Sequence, residues 1–172
     1  MRSIHKLVGA ITLMMVWAGF VPGLAQADEV AGHVIEAFGD KLVNAQGEAV
    51  SAAQLEGKII GLYFSAEWCP PCRTFTPRLV DAYNELKSAG KPFEVIFVSH
   101  DRTEEAMLKY MQGYNMDWLA IAFDGAKRDA LKKQHGIRGI PALIIVDDKG
   151  EVISRDGRNE VTAHGATAFE KW

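Results

Sequence analysis

Five consecutive residues, Trp68-Cys69-Pro70-Pro71-Cys72, hold the only two cysteines of this 172-residue chain. Two thiols separated by two residues can pass between a dithiol and a disulfide. One thiolate attacks a substrate disulfide and the other resolves the mixed disulfide that results. Cys69, the first, is the expected nucleophile and Cys72 the resolving thiol. An apolar run, Ile59 to Ser65, ends just before the motif, and a helical pattern opens just after it. The motif therefore falls at a strand-to-helix junction, where unpaired backbone N–H groups and the positive end of a helix dipole favour a thiolate. Pro70 and Pro71 suit a helix start, since their φ is already helical and they have no N–H to leave unpaired. They also bring no side-chain donor to the thiolate, which predicts a modest fall in thiol pKa and a reducing couple.

Competing readings of the pair are weaker. A static staple across so short a loop would restrict little of the unfolded chain. Haem attachment needs His after the second Cys, and position 73 is Arg. Two cysteines exclude a four-thiolate metal centre, and the distant histidines His33, His135 and His164 show no ligand spacing and read as surface residues. No metal and no cofactor is expected. With 19 Lys+Arg against 22 Asp+Glu, the net charge of -3 gives no pull towards nucleic acid.

The elements that must position the pair follow from periodicity. Ile59–Ser65 and Phe93–Ser99 are continuous apolar runs of the kind buried in a parallel sheet. Between them Phe75, Leu79, Tyr83 and Leu86 form one helical stripe from Cys72 to Ala89, with Pro77 expected to kink it. Tyr63 falls in the core. Asp101 with Glu104 resembles a capping box opening a helix to about Gly113. Leu119 to Phe123 reads as a short strand, Ala126 to His135 as a helix stopped by Gly136, and Ala142–Val146 with Glu151–Ser154 as a hairpin. Residues 39–50 read as an edge hairpin turning at Gly47. The order is that of an α/β layered sheet. Residues 155–172 give no clear pattern.

Gly139-Ile140-Pro141 precedes the last hairpin. A proline opening a strand there suits a cis peptide and lets Ile140 offer backbone groups to an extended substrate. Around the thiols, Trp68 reads as a contact surface. Glu67, Arg73, His100 and Asp101 are candidates for tuning thiol pKa, although Glu67, His100 and Asp101 each read more simply as solvated surface groups. Trp118 could pack inward or line the same groove.

The residues Gly61-Leu-Tyr-Phe-Ser-Ala-Glu-Trp-Cys-Pro-Pro-Cys-Arg-Thr-Phe-Thr-Pro, then Phe93-Glu-Val-Ile-Phe-Val-Ser, Asp117-Trp-Leu-Ala-Ile and the later Gly-Ile-Pro, resemble the thioredoxin superfamily, and within it the tryparedoxin and nucleoredoxin branch. The resemblance spans about residues 40–158. It implies a thioredoxin fold, with a central mixed sheet flanked by helices and an extra amino-terminal hairpin. It further implies dithiol–disulfide exchange at Cys69 and Cys72, a cis Pro141, and Trp68, Pro70, Ile140 and Pro141 as the substrate-contacting set. Two departures stand out: the family usually has Pro at the positions of Asp117 and Ala122. Thioredoxins also carry a buried Asp six residues before the first Cys. Here that residue is Tyr63, as in the tryparedoxin branch, so a proton acceptor for Cys72 must come from elsewhere.

At the amino terminus Arg2, His5 and Lys6 precede an uncharged apolar run from Leu7 to Val21, followed by Pro22-Gly23 and Ala25-Gln26-Ala27. This is the order of a secretory signal peptide cleaved after Ala27, leaving a thioredoxin-like domain over residues 28–172. A run of this length is short for a membrane span. The expected location is periplasmic or secreted, which resembles the periplasmic thioredoxin-like reductases. The expected partners are disulfide-bearing proteins and, because electrons must cross a membrane, a membrane electron donor. A disulfide oxidase or isomerase, and a thioredoxin-fold module that binds a partner without turnover, are the alternatives to a reductase.

Overall fold

The computed structural model describes residues 42–172. The signal-peptide reading of residues 1–27, its cleavage after Ala27, His33 and the start of the amino-terminal hairpin lie outside the described residues. Seven strands form one sheet: β1 (Leu42–Val43), β2 (Ala49–Val50), β3 (Ile59–Ser65), β4 (Phe93–Ser99), β5 (Leu119–Ile121), β6 (Ala142–Val146) and β7 (Val152–Ser154). Their spatial order is β2-β1-β5-β4-β3-β6-β7. The three inner pairings around β4 and β3 set the topology, with β3/β4 and β4/β5 parallel and β3/β6 antiparallel. The expected amino-terminal hairpin is present at the edge, joined to the sheet through β1/β5, and it turns at Gly47 with φ +79°.

Four helices cover the sheet: α1 (Pro70–Ser88), α2 (Glu104–Gly113), α3 (Gly125–Gln134) and α4 (Gly157–His164). Side chains alternate across β3 and β4, so each strand feeds two cores. Tyr63, Phe93, Val95 and Phe97 join Phe75, Leu79 and Tyr83 of α1 and Tyr110 of α2 on one face. Ile60, Leu62, Phe64, Ile96 and Val98 meet Leu131 of α3 and Ile137 on the other. This double burial explains why both central strands are largely apolar; the charged exception, Glu94 in β4, is buried and accepts from Lys58 and Tyr83. Trp118 is 1% exposed and packs edge-on against Tyr63 and Tyr83, so it belongs to the core and not to a substrate groove.

The carboxyl-terminal stretch that carried no sequence pattern forms α4 and a 3-10 turn over Gly165–Lys171. It closes the first core. Trp172 stacks on Phe93 at 5.3 Å between ring centroids and donates its indole N–H to Glu160. The Phe93 ring in turn presses on Gly61, where a Cβ would come within 3.2 Å of it.

Several expectations need correction. Helix α2 is capped by Thr103, whose hydroxyl accepts the Ala106 N–H, and not by Asp101. Asp101 is not a solvated surface group: it is 2% exposed, because its carboxylate turns inward to the end of β4. His135, expected at the surface, is buried where the chain leaves α3, with its ring 6.4 Å from that of Phe64. His100 is half-buried and not solvated. The strand expected over Leu119–Phe123 stops at Ile121, and α1 begins two residues earlier than the stripe suggested, at Pro70.

Candidate active site

Cys69 is the N-cap of α1, in extended backbone conformation, and Pro70 and Pro71 are the first two helical residues. The prolines remove two of the N–H groups a helix would leave unpaired at its start, so Cys72 supplies the first backbone donor of the helix. Cys69 and Cys72 are joined as a disulfide, Cα to Cα 5.2 Å. Cys72 is wholly buried and Cys69 is the more accessible of the two. This order suits a first thiol that meets substrate and a second that meets only the first.

The chain before β6 lies against the disulfide. The Ile140–Pro141 peptide is cis, and the Ile140 carbonyl oxygen lies 3.8 Å from Cys69 Sγ. Ile140 also packs with Ala66, Cys69 and Cys72 in a small apolar cluster, while Pro141 is buried. Trp68, half exposed, and Pro70, exposed, flank the sulfurs on the solvent side. Of the four residues expected to contact substrate, Trp68 and Pro70 adjoin Cys69 in the chain and Ile140 packs against it, with the buried Pro141 next to Ile140.

The proposed pKa-tuning residues divide. Glu67 and Arg73 are exposed, and Arg73 Nη1 donates to the Glu67 carbonyl at 2.8 Å, so that guanidinium secures the loop before the thiols. His100 contributes its carbonyl, which accepts the Trp68 indole N–H at 3.0 Å. Burial, reinforced by the Arg128 and Lys132 cations, lowers the His100 imidazole from 6.5 to about 4, so it is neutral at ordinary pH. Its Nε2 is buried with no hydrogen-bond partner among the described residues. Asp101 accepts the Glu67 N–H at 2.9 Å and the Ser99 hydroxyl at 2.8 Å, and burial holds its carboxyl above the usual range against those two bonds.

Sequence reasoning missed a group of hydroxyls beneath α1. Thr76 Oγ1 donates to the Cys72 carbonyl at 2.9 Å and lies 2.7 Å from the Tyr63 hydroxyl and 2.6 Å from that of Tyr110. Ser65 Oγ is 3.2 Å from Tyr110. Burial pushes both phenols upward, so they stay protonated and act as donors. Thr76 sits one turn beyond Cys72 and one residue before Pro77, but nothing in its local sequence points to Tyr110, 34 residues away. Beside Pro71 an open cleft of about 280 Å³ is lined by Thr74, Phe75, Arg78, Arg158 and Thr162, a juxtaposition of α1 and α4 that no motif announces.

Residues 57–152 match the family described as thioredoxin-like. The chain belongs to the thioredoxin-like family. Within it, the protein is 46% identical over 127 residues to nucleoredoxin of Bos taurus, an alignment covering 73% of this chain and 29% of that protein. The chain thus spans less than a third of the length of that curated relative. Tryparedoxin II of C. fasciculata superposes with a TM-score of 0.71 at 32% identity, over 78% of this chain and 89% of that one. Tryparedoxin of Trypanosoma brucei gives 0.71 at 35% identity, over 81% and 95%. The thioredoxin fold and the nucleoredoxin and tryparedoxin branch are therefore those the motif implied. Asp117 and Ala122, where the family usually has Pro, do not unseat the neighbouring core, since Trp118 and β5 remain buried.

Proposed function

We propose that this protein is a thiol–disulfide oxidoreductase working as a reductase of protein disulfides. The observation that carries the reading is the cysteine pair at the N-cap of α1 with the Ile140 carbonyl against Cys69. In the reduced protein, the Cys69 thiolate at the N-cap stands where a capping side chain accepts the N–H of the third helical residue, here Cys72. That thiolate attacks one sulfur of a substrate disulfide; the S–S bond breaks, and its other sulfur leaves as a thiolate that takes up a proton. Cys72, having given up its proton, then attacks Cys69 Sγ and expels the second substrate sulfur. The substrate ends as two thiols and the protein as the Cys69–Cys72 disulfide, two electrons having passed to substrate. The substrate segment lies between Trp68 and Ile140, extended along the chain before Pro141.

The arrangement of charged, apolar and small residues over positions 1–27 supports an exported form in which residues 28–172 are the working domain, periplasmic or secreted. Its substrates would then be exported proteins. A membrane electron donor would restore the dithiol, since the disulfide must be reduced again for each turnover.

The reduction potential of the Cys69/Cys72 couple tests the direction of flow. Equilibration of the full chain with dithiothreitol or glutathione mixtures, with thiols trapped and counted, should give a value near that of thioredoxin, roughly -270 mV. A value near -120 mV, that of a strong oxidant, would make the protein a donor of disulfides and overturn the reductase reading.

A further inference from the structure

Between the end of β3 and Cys69 lie only Ala66, Glu67 and Trp68, and every tie on this short loop that comes from β4 comes from the turn that follows it. The Glu67 N–H donates to Asp101 Oδ1 at 2.9 Å. The Trp68 indole N–H donates to the His100 carbonyl at 3.0 Å. The His100 N–H donates to the Ser65 carbonyl at 2.8 Å, extending the β3/β4 ladder by one rung. Asp101 is itself fixed: its second carboxylate oxygen accepts the Ser99 hydroxyl at 2.8 Å, and the same hydroxyl accepts the Asp101 N–H at 3.0 Å. From the other side Arg73 holds the Glu67 carbonyl. Glu67 is thus gripped at both its backbone polar groups, at the N–H by a buried carboxylate and at the carbonyl by an exposed guanidinium.

We infer that Asp101 is a positioning residue of the redox site, acting through the Glu67 backbone to hold Trp68 and the N-cap residue Cys69 in attacking register. The inference rests on the redox reading of the cysteine pair and assigns to Asp101 a task distinct from proton transfer. Three features carry it. The carboxylate spends both oxygens on neighbours that are not the thiols. It is 2% exposed, so it does not reach a substrate in solvent. It bonds a main-chain group of the loop that carries the site, so that its loss frees the loop without altering any group that reacts. An oxygen at this place is required and a charge is not: Asn keeps an Oδ1 for the Glu67 N–H and offers its NH2 to Ser99 Oγ.

The test compares D101A and D101N with wild type in the full chain. Readouts are insulin reduction driven by dithiothreitol, the alkylation rate of Cys69 in the reduced protein, and amide exchange at Glu67 by NMR. D101A should lose roughly 10- to 100-fold in kcat/KM, as small displacements of a reacting group do. Its Glu67 amide should exchange at least about tenfold faster. D101N should recover most of both losses. If D101A lowers only the unfolding midpoint while turnover, alkylation and Glu67 exchange stay at wild-type values, Asp101 is structural and the inference is wrong. If D101N is as impaired as D101A, the charge itself is what matters, and positioning is again refuted. Should D101A fail to fold, S99A releases the carboxylate from one donor and must lower kcat/KM and speed Glu67 exchange; unchanged values refute the clamp. A wild-type chain that does not reduce insulin would sink the redox reading alone, leaving the clamp to be decided by alkylation and Glu67 exchange.

Discussion

The Thr76 hydroxyl stands 2.7 Å from the phenol oxygen of Tyr63 and donates its own hydrogen bond to the carbonyl of Cys72. A position that thioredoxins fill with a carboxylate is here filled by a neutral donor, Tyr63, whose hydroxyl ties the helix bearing Cys72 to β3. Tyr110 donates to the same oxygen from α2, so three elements meet at Thr76.

Replacing Thr76 should therefore cost more than an average buried hydroxyl. T76A leaves the Tyr63 and Tyr110 hydroxyls without their shared acceptor in a site closed to water. The expected loss is about 2 to 4 kcal/mol, from one or two unsatisfied buried groups. T76S, which keeps the oxygen, should lose less than half of that. Urea unfolding followed by circular dichroism checks both, and equal midpoints for T76A and T76S would show that the hydroxyl network contributes nothing.

Trp68 makes the opposite case. It is half exposed, and its indole N–H is already spent on the His100 carbonyl, so its ring presents an apolar face without a free donor. W68A should raise KM for a protein disulfide and lower kcat/KM by roughly 10-fold or more, the loss expected for a central aromatic contact. Stability should change little. Steady-state kinetics beside a thermal melt separate the two effects, and a fall in melting temperature with unchanged KM would place Trp68 in the fold and not in recognition.

Much of this was legible in the residues, and what was not has a physical cause. β3, β4 and β6 follow the runs residue for residue, because strands buried on both faces are mostly apolar; the one acid among them, Glu94, is buried and accepts from Lys58 and Tyr83. The junction that holds Cys69 and Cys72 followed from the same run. The closing segment over residues 155–172 gave no signal because it packs through small residues, Ala166 and Ala168, and through Trp172, whose partner Phe93 is distant in sequence. Asp101 reads as a helix cap from its neighbours. Only tertiary structure brings the Glu67 N–H to it, and a buried carboxylate satisfied by a main-chain donor leaves no mark in local sequence. His135 likewise turns inward beside Phe64, a neighbour far from it in sequence.

A half-buried histidine, His100, and a buried one, His135, make stability depend on acidity in a stated direction. Burial lowers His100 to about 4 and lowers His135 as well, so the unfolded chain binds these protons more readily than the folded one. Their contribution is fully present above about pH 6.5 and is lost as pH falls towards 4. Asp101, with its carboxyl held above the usual range, works in the opposite sense near the lower end of that window. H100L removes a buried, unpartnered nitrogen and keeps the main-chain carbonyl that holds Trp68. Relative to wild type it should be more stable at pH 5 than at pH 8. Denaturant midpoints at the two pH values decide it, and a difference that does not change with pH would show that folding leaves the His100 pKa unshifted.

Division of labour between the two thiols gives the most direct chemical prediction. Cys69 is the more accessible of the two residues and Cys72 is wholly buried, so Cys69 is the expected site of attack on a substrate disulfide. With C72S the first exchange still runs: Cys69 forms the mixed disulfide and one substrate thiol leaves. Nothing then attacks Cys69 Sγ, and the adduct should persist until an external thiol removes it. With C69S neither step begins. Intact-mass measurement after incubation with a disulfide-bonded protein should show one covalently attached substrate on C72S and none on C69S, while insulin reduction falls to background in both. Adducts on C69S but not on C72S would reverse the roles. Full binding of a partner by C69S with no adduct on either variant would identify a binding module in place of an enzyme, because the surface around Cys69 would then act without either sulfur.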